Sequence, residues 1–182
     1  MADQLNVQHF RVKLMATEGS KPDLHQAIPV FHRWIRDKHV PEMPIDVSDY
    51  LHVPAGPGVI LVCHEAIYGL DQEKNRLGFM YNRRTALDGS NEEKLRQAVD
   101  AISAAADRIE AEPEFAGHLK FDRNRWEVVV NDRVLAPNTA ATFEALRPLI
   151  AAVFQGSAGA RKYNIEHISP PQELFRVAIS AA

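Results

Sequence analysis

The stretch that most restricts what this chain can fold into is Val59-Ile-Leu-Val-Cys63, entered through Pro57-Gly58. Strand side chains alternate between faces, so an unbroken apolar run suits a strand covered on both sides and is placed in the middle of a sheet. Pro57-Gly58 has type II turn chemistry: proline presets φ at one central position and glycine accepts positive φ at the next. Beyond the run, His64 and Glu65 are sequence neighbours and would point to opposite faces of a continuing strand.

Val7 to Ala16 places Phe10, Val12, Leu14 and Ala16 on one face and His9, Arg11, Lys13 and Met15 on the other, a strand with one wet side. Ser20-Lys-Pro-Asp23 predicts a helix start. The helix runs to about His39 on Leu24, Ile28, Phe31 and Ile35, with Pro29 kinking or splitting it. Pro41 and Pro44 keep the next segment extended. Leu77 to Arg84 predicts a second strand, joined to the first in a hairpin across the polar connection 69–75.

Ser90 and Glu93 at capping-box spacing open the clearest helix, carried on Leu95, Val99, Ile102, Ala106 and Ile109 and closed by Pro113. Residues 119–130 read as a second hairpin turning at Asp122 to Asn124. Asn138 begins a third helix on Phe143, Leu146, Ile150 and Val153, which Pro148 is set to bend. Two short strands follow, from about Lys162 to Ile168 and from Leu174 to Ile179. This order predicts an α+β fold, a two-layer sandwich with a mostly antiparallel sheet and helices packed on one face, in one domain spanning 1–182. Strand, Asn, Arg, Leu and helix recur in the same order from Leu77 and from Arg125, compatible with two ββα units after an initial βα.

Composition narrows the function classes. A chain of 182 residues, 46% hydrophobic and 25% charged, can bury an adequate core. A net charge of -3 gives no general attraction to phosphate backbones, so nucleic acid is not an expected partner. The single cysteine, Cys63, sits in the apolar run and suits a reducing, cytoplasmic setting. No apolar stretch approaches the roughly 20 residues that span a bilayer, and the opening residues lack a secretory pattern.

Motifs with chemical content are few. His25, His32 and His39 recur every seven residues, but seven residues of helix rise about 10.5 Å, too far for neighbours to share one ion. Asp46, Asp49, His52, His64 and Glu65 surround the Pro-Ala-Gly-Pro-Gly turn and are the candidate acid-base or ligand-binding group, with His64, Glu65 and His52 as catalytic candidates. The two aspartates suit equally well the cap of a short helix over Tyr50 and Leu51. Ala55-Gly-Pro-Gly58 lacks the lysine and hydroxyl of a phosphate loop and leads into a strand. Residues 155–160 read as a flexible loop, not a serine elbow. Arg83 and Arg125 are further ligand-binding candidates: with Tyr81, Glu127, Arg11 and Lys13 they are placed on an uncovered sheet face able to take an anionic ligand, a partner or a second copy.

No metal or cofactor is implied. The expectation is a soluble binding or assembly module that self-associates as a homodimer, with no catalytic motif. The alternative is a small hydrolytic or metal-assisted enzyme built on His52, His64, Glu65 and the aspartates.

Overall fold

The computed structural model describes residues 5–156, 162–168, 170 and 172–182; the loop expected at 155–160 falls largely outside the described residues. Its elements in chain order are β1 (Phe10–Ala16), α1 (Ala27–Asp37), β2 (Pro44–Tyr50), β3 (Gly58–Cys63), β4 (Ala66–Asp71), β5 (Gly78–Arg83), α2 (Asn91–Ala111), β6 (Phe121–Val130), α3 (Ala140–Gly156), β7 (Tyr163–Ile168) and β8 (Phe175–Ala181). The eight strands form one sheet in the order β2-β3-β4-β5-β1-β6-β8-β7, and every pairing is antiparallel.

This is the expected α+β sandwich, and the helices lie on one side. Phe10, Val12 and Leu14 of β1 join Phe31 and Trp34 of α1, Leu95, Ile102 and Ile109 of α2, and Leu146, Ile150 and Val153 of α3 in one core cluster. Met15, Met80 and Val129 are buried too, but on the opposite face and outside that cluster. No helix among the described residues is long and apolar enough to cross a membrane.

Local signals set several elements as expected. Ser90 Oγ accepts from the Glu93 backbone N–H, and the Glu93 carboxylate accepts from Ser90 N at 2.7 Å, completing the capping box of α2. The first helix departs from expectation: Asp23, not Ser20, caps a 3-10 turn at Leu24–Gln26, and α1 begins at Ala27 and runs unbroken through Pro29 to Asp37. Pro29 then falls in the first turn of α1, where its missing N–H has no helical partner to lose. Ser20 Oγ instead donates to Lys120 O at 2.9 Å. Pro148 lies inside a continuous α3.

Four expectations are corrected. The run 59–63 is an inner strand, but it lies second from the edge, and Ile60 and Val62 are only half-buried because no helix covers that face. Outside it lies β2: Asp46 and Asp49 belong to an edge strand, paired opposite Val62 and Val59, and cap no helix. Pro44 and a register shift between Pro44 and Asp46 interrupt this edge, both common devices that discourage further strand pairing.

The polar connection from Gly69 is in part a strand, β4, which separates β3 from β5. Gly69 is strand-compatible here because an added Cβ would stand 3.0 Å from Ile60 Cγ2 and 3.4 Å from Met80 Cε. Residues 121–130 form one ten-residue strand instead of a hairpin. Asp122 Oδ1 does accept from Asn124 N at 3.0 Å, yet β1 pairs with both ends of β6, Leu14 with Trp126 and Ala16 with Phe121. The turn chemistry is thereby absorbed as a bulge. The segment before α3 accordingly contributes one strand where two were expected.

Gly58 enters β3 at φ +72, and a Cβ there would stand 2.3 Å from Leu70 O. Gly58→Ala is expected to cost about 2 kcal/mol or more, read as a lower urea midpoint at unchanged slope.

Candidate functional site

The helical layer has a gap, and the candidate site is built in it. The α2 helix packs on β1, β5 and α3, whereas α1 lies over β2 and β3. Where α1 approaches α2 it meets the far end: Trp34 Nε1 donates to Glu112 Oε1 at 2.6 Å, and Arg33 pairs with Glu112 and Glu114. The chain from His39 to Glu42 then runs back alongside α2. Between them lies a cavity of about 570 Å³ with Val40 and Pro41 on one wall, Ala101, Ala104 and Ala105 on the other, and Tyr68 of β4 at its floor.

The floor is fixed by a buried polar network. Glu42, 6% exposed, takes hydrogen bonds from Tyr68 Oη at 2.6 Å and Tyr81 Oη at 3.1 Å. The two rings, cross-strand neighbours on β4 and β5, meet edge to face with centroids 5.0 Å apart. Gln97 of α2 donates its Nε2 to Tyr81 Oη at 3.0 Å, tying the helix to the same group. Burial and the hydrogen bond to Glu42 push the Tyr68 hydroxyl far above its ordinary range. Burial pushes Tyr81 up to about 12, with Gln97 opposing and the Glu42 charge reinforcing the shift. Both hydroxyls are thus donors at neutral pH. At the rim, Arg108 Nη1 lies 3.2 Å from His39 Nδ1, while Arg96 pairs with Glu92 at 2.8 Å.

The residues singled out from sequence are placed elsewhere. His52 is exposed in the turn after β2, its ring stacked on Tyr50 with centroids 6.5 Å apart. His64 and Glu65 form the tight β3–β4 link at the other end of the same hairpin, so the strand has ended and both side chains share one edge, His64 Nδ1 3.5 Å from Glu65 Oε1. His52 is therefore separated from them by the length of β3. Glu65 serves as a tie: its Oε2 accepts from Met43 N at 2.9 Å, and its carbonyl accepts from Arg84 N at 2.9 Å. The Met43 N–H holds its carboxyl below the usual range.

Asp46 and Asp49 are exposed on β2, each accepting from a nearby backbone N–H, of Val47 and Leu51. His25, His32 and His39 are spread over the 3-10 turn, α1 and the segment beyond it, and no group of three or more His, Cys, Asp or Glu side chains among the described residues is placed to hold a metal ion. Burial pushes the Cys63 thiol up to about 12, leaving it unreactive.

The expected basic face is also redistributed. Tyr81 and Arg83 lie on the helix side, in step with Val12, and Arg83 Nε donates to Thr85 O at 3.2 Å. Arg125 and Glu127 do share the helix-free face with Arg11 and Lys13. Sequence reasoning missed Glu42, Tyr68 and Gln97. The available signal was a carboxylate between two prolines in Val40-Pro-Glu-Met-Pro44 with Val40 beside it, of which Val40 and Glu42 are buried and Met43 is exposed. Comparison with family models, curated proteins and solved structures finds no match to this chain.

Removing one donor leaves Glu42 buried and underbonded, so Tyr68→Phe is expected to lower stability by about 1–3 kcal/mol. The contribution of neutral Tyr81 is complete below the ordinary tyrosine value of 10.0 and is lost as pH rises through about 12. Chemical denaturation across that range should show stability falling, with a shallower fall in Tyr81→Phe.

Proposed function

We propose that the protein is a non-catalytic binding module that takes a small, mostly apolar molecule in the cleft between α2 and residues 39–41. The observation that carries this reading is the gap in the helical layer above Tyr68, which is already bonded to Glu42, as is Tyr81 to Glu42 and Gln97, so the floor needs no rearrangement to receive a ligand. A cavity of about 570 Å³ with a largely apolar surface at Val40, Pro41 and the alanines, and Glu93, Arg96, Asp100 and Arg108 among its other lining residues, has the size of small-molecule sites and polar groups to orient a ligand. Ala104 is solvent-facing, so a large side chain there fills the cleft without entering the core. The dye 1-anilinonaphthalene-8-sulfonate is expected to bind the native protein at one site, and Ala104→Trp to weaken it about tenfold. Equal binding by the two proteins, or no binding by the native one, would sink the proposal.

Self-association remains part of the reading, confined to one half of the helix-free face. There Ile60, Val62 and Ile67 are half-buried beside Tyr50, which is 38% exposed, and an apolar patch of this kind favours a second copy over solvent. Sedimentation equilibrium should report a dimer that Val62→Lys converts to monomer; a native protein that stays monomeric at high concentration removes the idea. The buried free thiol of Cys63 suits a reducing, cytoplasmic setting for such a module.

A further inference from the structure

The other half of the helix-free face is charged, buried and strapped down. Across the sheet, Asn82 of β5, Arg11 of β1, Val129 of β6 and Arg176 of β8 are successive neighbours, and Lys13 lies beside Glu127 in the next row. Lys13, Asp71, Glu127 and Arg176 are each no more than 5% exposed. Residues 72–77, the β4–β5 connection, cross above them. Lys13 Nζ donates to Asp71 Oδ2 at 2.6 Å and to Arg76 O at 2.5 Å, Arg76 pairs with Glu127 at 2.7 Å, and Lys74 pairs with Glu173 at 2.5 Å. Glu73 drops from the strap to pair with Arg11.

Three features of this arrangement are unexplained by packing. Burying charges is costly even when they are paired, and apolar side chains would serve the face as well. Lys74 and Asn75 both hold left-handed backbone, φ 58 and 57, which a lysine adopts only under constraint. Arg11 Nε, Arg176 Nε and Asn82 Oδ1 are buried and make no hydrogen bond, although Arg11 and Arg176 bracket Val129 and Arg176 Nη1 donates to Glu127 at 2.9 Å. Burial opposes ionisation of Glu73, but the Arg11 guanidinium, with Arg176 and Lys13 behind it, overcomes this and holds its carboxyl below the usual range. Glu73 is a third exposed, so water reaches it.

We propose that Arg11, Arg176 and Lys13 form an oxyanion-binding site, that Glu73 is its built-in occupant, and that the carboxylate or phosphate group of a ligand enters by displacing Glu73 and lifting residues 72–77. Displacing Glu73 frees Arg11 Nη2 beside the already unpaired Nε, and the two give the fork that a planar or tetrahedral oxyanion accepts in pairs. Relaxation of Lys74 and Asn75 offsets part of the cost of opening the strap. An internal competitor lowers apparent affinity by the fraction of time the site is vacant, so the closed strap makes binding conditional. The site lies on the opposite side of the sheet from the proposed cleft and does not depend on it.

The test is calorimetric titration of inorganic phosphate and, separately, acetate into native protein and Glu73→Gln at constant ionic strength set with chloride. Removing the competitor is expected to tighten binding of at least one of them about tenfold, and Arg11→Gln added to Glu73→Gln to abolish the gain. A gain for phosphate alone assigns a phosphorylated ligand, and a gain for both assigns oxyanions generally. Equal affinity in native and Glu73→Gln proteins, or a gain that survives Arg11→Gln, overturns the proposal. Should Glu73→Gln not fold, Glu173→Gln releases Lys74 from the strap and removes the carboxylate 3.9 Å from Arg176 Nε: tighter phosphate binding that Arg11→Gln abolishes supports the site, and unchanged binding overturns it.

Discussion

Strand β1 is flanked by β5 and β6 at the centre of the sheet, and its two faces are buried by different means. Phe10, Val12 and Leu14 enter the apolar interior beneath the helices, while Arg11 and Lys13 meet the carboxylates of Glu73 and Asp71 on the other side. An inner strand must satisfy both faces, because successive side chains alternate and the backbone on each side is occupied by neighbours. One face is closed by three helices. The other is closed by a six-residue connection held with ion pairs, so the sheet carries two kinds of interior back to back.

The helical side has its own consequence. Because α2 and α3 pack together while α1 is anchored to the far end of α2 through Glu112, a trough is left above β4 that helix alone does not fill. The segment from His39 to Glu42 covers its floor by inserting one carboxylate between two tyrosines. A lone buried carboxylate would be expensive; two phenolic donors in a tilted pair make it tolerable and lock both rings. The cleft above is therefore fixed from below by this network, with Ala101, Ala104 and Ala105 of α2 on one wall among charged neighbours of the same helix.

Elements with self-contained signals were legible: the capping box of α2, its buried stripe from Leu95 to Ile109, the stripe of α3, the two final strands and the left-handed entry at Gly58. Elements decided by a distant partner were not. Asp122 and Asn124 carry the same turn chemistry whether the chain reverses or bulges, and only pairing of β1 with both Phe121 and Trp126 selects the bulge. Gly69 and Asp71 argue against a strand until Met80 is found occupying the space beside Gly69 and Lys13 neutralising Asp71. The candidate site was less legible than the fold, since Glu42, Tyr68 and Gln97 lie at least 26 residues from one another and are linked, with Tyr81, only through β-pairing and helix docking.

Hydrophobic periodicity and capping chemistry were sufficient to establish helices, most strands and a layered α+β class, because those depend on residues within a turn or two of one another. Strand order, the choice of which polar face would be dry, and the company kept by Glu42 and Lys13 came from packing across the sheet. The reason is physical: a charge reads the same in sequence whether it ends in water or against an opposite charge, and burial is a property of everything that surrounds it.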